Sequence, residues 1–239
     1  MSGKAAVRVH YAKVGAGRLS RALPEGDFVP PSSSNSSIIA ARIDATEREA
    51  GEQPIWEGYD NAATRPTRRP HTVSTRPAVG ALYTHLVRTF CPEVLVEIGT
   101  AFGVSGMYWL AGLEENDTGH LYTFDPNERW RAFALANLSA IGHRYVSTLG
   151  TFEDHYSKVL PSDVPVDLCF IDGIHKSTFV MPQVGMLKAR MRAGSIIVLD
   201  DIHFNDDMAA CWNDLAVRDD VVCSLQLGSR VGILEFAGQ

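Results

Sequence analysis

Apolar side chains at Val79, Leu82, Tyr83, Leu86, Val87 and Phe90 recur every three or four residues. That spacing predicts one buried helix face, starting near Ser74 and Thr75 with Pro77 in its first turn. Beyond it, short apolar runs alternate with helical patterns. Strands are predicted at Val94–Ile98, Leu121–Phe124, Tyr145–Leu149, Val166–Ile171 and Ser195–Leu199. Helices are predicted at Val104–Leu113, Glu128–Ile141, Phe152–Leu160, roughly Phe179–Met191 and Met208–Val217. The strands are apolar throughout instead of alternating, as strands covered on both faces are, and their alternation with helices implies a parallel sheet. Two last strands, Val221–Leu227 and Val231–Phe236, are joined by Gly228-Ser229-Arg230 alone. So short a link permits only an antiparallel hairpin. The fold class is therefore α/β, doubly wound and mostly parallel, with one reversed strand near an edge.

Before residue 70 the apolar periodicity is weak. The Pro/Ser/Asn cluster Val29–Ser37 reads as an exposed linker, and Ile38–Gln53 as a short helix ending at Gly51. Thr64–Pro77 carries three X-Pro steps and should be extended. Residues 1–70 are read as an arm without apolar mass for its own core, and residues 71–239 as the main domain. Trp56 and Tyr59 in the arm could cover a substrate or pack against a second subunit, making a homodimer. His71, Thr72 and Ser74 precede the main domain and could close over a ligand. Trp212, in step with Met208 and Leu215, reads as core.

Composition narrows the function classes. With 22 Lys and Arg against 28 Asp and Glu, the net charge of −6 argues against nucleic acid as a partner. The four cysteines show no metal or CxxC spacing, which fits free thiols in a reducing cytoplasm. Cys91 and Cys169 lie beside or within apolar runs, where buried thiols are common. No apolar stretch is long enough for a membrane helix, and the N-terminus reads as lacking a secretory signal.

The turn after the first sheet strand carries the candidate chemistry. Ligands of doubly wound sheets bind at the carboxyl ends of the strands. Here that turn is Glu97-x-Gly99-x-x-x-Gly103-x-Ser105. It lacks the GxGxxG of dinucleotide sites and the Gly-Lys-Ser/Thr of the P-loop. Its glycines allow a tight turn and close backbone approach. Glu97 would repel a pyrophosphate but suit a cation. Asp125, at the tip of the second strand, can accept both hydroxyls of a ribose. A ribose, a cation and no phosphate describe S-adenosylmethionine.

Together with "YTFD", "LCFIDGIH", "IIVLDDIHF" and the closing hairpin, this turn resembles the class I S-adenosylmethionine-dependent methyltransferases, from about Thr72 to the C-terminus. The resemblance implies a seven-stranded sheet of order 3-2-1-4-5-7-6 with the seventh strand reversed. It implies that Glu97, Gly99, Thr100, Gly103 and Ser105 contact the methionine end of the cofactor and Asp125 its ribose. Thr151 and Phe152, after the third strand, would lie at the adenine.

His175, three residues beyond Asp172 at the tip of the fourth strand, falls beside the reactive methyl in that fold and could act as base or orient the substrate. Two readings of Asp172, Asp200 and Asp201 stay open. In one, as in metal-dependent O-methyltransferases, they hold Mg²⁺, a hard cation suited to oxygen ligands. In the other, Asp172 contacts the cofactor and the later acids cap the next helix. His203 reads as a secondary polar group at the rim. The expected activity is methyl transfer to a hydroxyl, less readily an amine, of a small molecule of secondary metabolism. The rivals are a non-catalytic S-adenosylmethionine-binding subunit and a nicotinamide oxidoreductase.

Overall fold

The computed structural model describes residues 4–13, 17–59 and 64–237. In chain order its elements are β1 (Ala5–Ala12), α1 (Leu19–Ala22), β2 (Gly26–Phe28), α2 (Ser36–Ala50), β3 (Gln53–Pro54), β4 (Thr67–Arg68), α3 (Pro70–Val73) and α4 (Pro77–Phe90). The alternating part follows as β5 (Val94–Ile98), α5 (Val104–Asn116), β6 (His120–Asp125), α6 (Glu128–Ser139), β7 (Tyr145–Leu149) and α7 (Phe152–Val159). It continues through β8 (Val166–Ile171), α8 (Ser177–Lys188), β9 (Met191–Leu199), α9 (Asp206–Ala216), β10 (Val221–Leu227) and β11 (Val231–Phe236).

The main sheet has nine strands in the order β2-β1-β10-β11-β9-β8-β5-β6-β7, not the seven expected. The expected order recurs within it as β7-β6-β5-β8-β9-β11-β10, and β1 and β2 are added beyond β10. The number of reversed strands is also corrected. β11 is antiparallel to β9 and β10, and β1 is antiparallel to β10 and β2, so both run against the rest. Two-residue β3 and β4 pair separately.

The chain divides into two compact units, one of residues 1–30, 92–96 and 163–239, the other of residues 31–91 and 97–162. The expected arm is thus shared between them. In the first unit, β8 and β9 run parallel, with Phe170 opposite Val198 and Ile171 opposite Leu199. Their apolar runs are almost wholly buried. Only Ala5 and Val7 of β1 are buried, on alternate positions among polar residues. Two apolar side chains are too few to produce a strand signal against the surrounding arm sequence. The segment after β1 is tied down by Glu235 of β11, whose buried carboxylate accepts from the backbone N–H of Arg18 (2.9 Å) and Leu19 (2.8 Å). Trp212 is core, as expected, with His10 tilted against it at 5.7 Å.

In the second unit, β6 and β7 pair in parallel from Leu121–Tyr145 to Asp125–Leu149. The α4 face read from the sequence buries Leu82, Tyr83, Leu86 and Val87. Tyr83 stacks on Trp109 of α5 with centroids 4.1 Å apart. Each such leucine or valine contributes about 1.5–3 kcal/mol by leaving water. Helix α2 ends at Gly51 as expected, whereas the X-Pro segment is only partly extended, since Pro70 starts the turn of α3. A buried polar network fixes α2. Asn137 of α6 donates from Nδ2 to Thr46 Oγ1 (2.9 Å) and to the Phe102 carbonyl (2.8 Å), and its Oδ1 accepts from Arg42 Nε (2.9 Å). The arm helix is thereby joined to the backbone of the Glu97–Ser105 turn.

Candidate cofactor cradle and His175 cluster

The turn after β5 is built as its glycines demand. Gly99 has φ 99° and Gly103 φ 76°, a region that L side chains avoid. A Cβ on Gly103 would stand 2.9 Å from Ala134 Cα, so α6 also packs against this residue. Gly103 begins α5, and its N–H donates to the Thr100 carbonyl at 2.7 Å.

Beneath the turn lies a buried chain of hydroxyls and a carboxylate. Ser105 Oγ donates to Glu97 Oε1 (2.7 Å), Thr123 Oγ1 donates to Glu97 Oε2 (2.6 Å), and Thr100 Oγ1 hydrogen-bonds Thr123 Oγ1. Glu97 has no exposed surface, and Thr100 and Ser105 are buried. Burial pushes the Glu97 carboxyl up to about 7, against the lowering hydrogen bonds from Thr123 and Ser105, with the charge of Asp125 adding to the rise. In this conformation Glu97, Thr100 and Ser105 support the turn from inside. The expectation that these side chains line the ligand directly is revised to that extent.

Asp125, expected as the ribose acid, stands at the tip of β6 and is held by two backbone donors. Its Oδ2 accepts from the Ala101 N–H (2.8 Å) and its Oδ1 from the Asn127 N–H (2.7 Å). A carboxylate offers about four lone-pair sites, so acceptor capacity remains on both oxygens. Burial raises its pKa, with both backbone bonds opposing. Thr151 is the N-cap of α7, accepting from the Asp154 N–H, and stays partly exposed after β7. Phe152 does not. It is 1% exposed, edge-on to Phe124 at 5.4 Å and stacked on Tyr156 at 5.0 Å. Its expected place at an adenine gives way to a core role, because the start of α7 turns its ring inward.

In the other unit, the tips of β8 and β9 bring together His175, Asp172, Asp200 and Asp201. His175 Nε2 lies 3.2 Å from Asp172 Oδ1, and Nδ1 lies 3.4 Å from Asp201 Oδ2. Burial holds the imidazole below its ordinary 6.5, partly offset by Asp201 and Asp200, while Arg230 adds to the lowering. His175 is therefore neutral at pH 7. Asp201 is raised, first by burial and then by the charge of Asp200, which together outweigh Arg230 and His175. Phe204, 61% exposed, sets its ring edge-to-face with His175 at 5.2 Å. His203 is exposed and lines a separate cavity with Arg8, Gln226 and Ser229.

The sequence reading missed Arg230. It forms a two-pronged pair with Asp200, Nε to Oδ1 at 2.9 Å and Nη2 to Oδ2 at 2.6 Å, and its Nε also lies 3.0 Å from Asp201 Oδ1. No motif in the sequence marks it. A reversed β11 starts where β9 ends, with Gly232 opposite Leu199, so a basic residue in the turn falls beside the acids. This arrangement corrects the metal set of Asp172, Asp200 and Asp201. Asp200 is buried with both oxygens engaged by a guanidinium, and a dication there would face that positive charge. Among the described residues no group of three His, Cys, Asp or Glu is arranged to hold a metal ion. Nor do Asp200 and Asp201 cap α9. That cap is Asn205, whose side chain accepts from the Met208 N–H.

Backbone strain marks both places. Four non-glycine residues among those described have positive φ: Cys91 and Asp117, which close helices, and Ala101 and Asp201. Ala101 (φ 45°) is in the glycine turn and Asp201 (φ 51°) is in the His175 cluster. Such conformations cost about 1–3 kcal/mol and collect at functional sites.

A family model described as a methyltransferase domain matches residues 96–202, from within β5 to just past β9. An inferred O-methyltransferase of Mycobacterium avium (strain 104) is 32% identical over 162 residues, covering 65% of this chain and 67% of that protein. One from Mycobacterium sp. (strain KMS) is 33% identical over 129 residues, covering 51% of this chain and 54% of that one. The chain thus spans between about half and two thirds of the length of these relatives. In fold it is similar to the Streptomyces achromogenes O-methyltransferase TomG, solved with S-adenosylmethionine, with TM-score 0.63, 18% identity and 92% and 94% of the two chains covered. It is also similar to a Bacillus cereus O-methyltransferase solved with S-adenosylhomocysteine, with TM-score 0.59, 17% identity and 91% and 94% covered. The glycine turn, the acid at the tip of β6, the reversed β11 and these likenesses agree: the chain belongs to the class I S-adenosylmethionine-dependent methyltransferase family.

Proposed function

We propose that this chain transfers a methyl group from S-adenosylmethionine to a hydroxyl of a small-molecule acceptor. The observation that carries this reading is the turn from Glu97 to Ser105, tied by the Ala101 N–H to Asp125. A phosphate-free turn with a carboxylate at the ribose position suits a nucleoside sulfonium better than a dinucleotide. The ligands bound in TomG and in the Bacillus cereus enzyme favour the same cofactor. Gly99, Gly103 and Asp125 are assigned to cofactor binding, with Thr151 at the edge of the adenine position. Glu97, Thr100 and Ser105 set the shape of the turn.

The reaction is an in-line displacement at the sulfonium methyl. The acceptor oxygen forms the new C–O bond, the C–S bond breaks, and S-adenosylhomocysteine leaves as a neutral sulfide. The hydroxyl proton goes to a base, a role assigned to His175. A neutral imidazole can accept it, and Asp172 and Asp201 would then flank an imidazolium. The exposed Phe204 ring beside His175 suits an acceptor with an apolar or planar body.

Incubation with methyl-labelled S-adenosylmethionine and a panel of phenolic and aliphatic alcohols tests the reading. The expected product is a methyl ether formed mole for mole with S-adenosylhomocysteine. Label appearing only on amines would refute oxygen as the acceptor atom.

A further inference from the structure

We propose that Arg230 replaces a divalent cation at the carboxylate tips of β8 and β9, so that this chain transfers methyl groups without a metal. The inference rests on the methyltransferase reading and adds an electrostatic arrangement that its acidic motifs alone would not suggest. By residue type Asp172, Asp200 and Asp201 are the oxygen ligands that Mg²⁺ takes, although with Arg230 among them they are not arranged around an ion. Left alone, three carboxylates at one sheet edge would repel one another, and burying Asp200 would be costly. A nearby positive charge offsets that cost, and the chain supplies one in Arg230.

The geometry fits a permanent occupant. A guanidinium is planar, always charged and presents parallel donors that match a carboxylate, which a metal–oxygen bond does not resemble. Arg230 uses that fork on Asp200 and shares Nε with Asp201, the two acids that succeed each other at the end of β9. Its backbone is fixed as well, since the Arg230 carbonyl accepts from the Ile202 N–H at 2.9 Å. The guanidinium is therefore anchored by main chain and side chain on the segment that carries both acids. Asp201 in turn faces His175 Nδ1. Arg230 is thus a positioning residue, acting on His175 through Asp201, and Asp201 is held there in a left-handed conformation that nothing of its own residue type would enforce.

The test reads metal binding, so its outcome is separable from whether the chain methylates oxygen. Manganese(II) is titrated into the full chain and free ion is measured by electron paramagnetic resonance, with S-adenosylhomocysteine present and absent. The wild-type chain should leave the ion signal undiminished. The Arg230→Met variant, checked for folding by circular dichroism, should take up one ion per chain, and a second change, Asp200→Asn, should abolish that uptake. The proposal is overturned if the wild-type chain binds one manganese that Asp200→Asn releases. It is equally overturned if a folded R230M chain leaves manganese free, because the acids would then not form a cation site for Arg230 to fill. Should R230M not fold, the wild-type titration with its Asp200→Asn control still decides the matter.

Discussion

The backbone N–H of Ala101 donates to Asp125 Oδ2 at 2.8 Å, joining the middle of the glycine turn to the tip of β6. One bond thereby sets both the conformation of the turn and the orientation of the proposed ribose acid. Asp125→Ala should weaken S-adenosylhomocysteine binding at least tenfold, since hydrogen bonds to charged groups are worth about 1.5–3 kcal/mol. Asp125→Asn keeps one acceptor oxygen and should lose less. Isothermal titration of the three proteins checks this order. Equal affinities would remove Asp125 from the cofactor site.

Gly103→Ala should destabilise the chain. It places a side chain at φ 76° and drives a Cβ to 2.9 Å from the Ala134 Cα, which is backbone and cannot swing aside. The left-handed conformation alone costs about 1–2 kcal/mol, and displacement of α6 adds to it. Urea unfolding should show a lower midpoint with an unchanged slope. An unchanged midpoint would mean that α6 does not pack on the turn as described.

Much of this arrangement was legible in the sequence. Glycine spacing, Glu97 and Asp125 singled out the turn proposed as the cofactor cradle, and the three-residue link between β10 and β11 fixed the reversed strand. Three features were not legible. β1 buries only Ala5 and Val7, so its alternation resembled that of an exposed arm. Phe152 was rightly placed at the start of a helix but expected at the adenine, and only the packing of Phe124 and Tyr156 turns it inward. Arg230 lies thirty positions after Asp200 in the chain, and a hairpin arginine carries no motif. Its partner is set by strand register, which composition does not reveal.

The buried Glu97 gives a pH signature. Its carboxyl is raised from 4.5 to about 7 in the folded chain. The unfolded chain ionises it near 4.5, so the folded state holds the proton through the interval between. Stability from this group is therefore present below about 4.5, declines as pH rises to about 7, and is level above. The full difference is about 3 kcal/mol. Glu97→Gln should flatten that slope. The check is to compare wild type and E97Q by urea unfolding at pH 5 and pH 8. A wild-type chain whose stability relative to E97Q does not fall across this interval would show that Glu97 is ionised throughout.

His175→Ala should lower turnover by about 10²–10⁴, the usual contribution of a positioned base, with S-adenosylhomocysteine affinity unchanged. Because burial holds the imidazole below 6.5, wild-type kcat/KM should stay level down to below that pH and then fall as His175 takes a proton. A pH–rate profile checks the position of that limb. Full turnover in H175A would end the assignment of His175 as base.

The central claim is that the Glu97–Ser105 turn and Asp125 hold a nucleoside sulfonium and not a dinucleotide. Titration calorimetry of the wild-type chain with S-adenosylhomocysteine and, separately, with NAD tests it most directly. The account predicts one S-adenosylhomocysteine bound per chain and no heat from NAD beyond dilution. Binding of NAD with S-adenosylhomocysteine silent would contradict it.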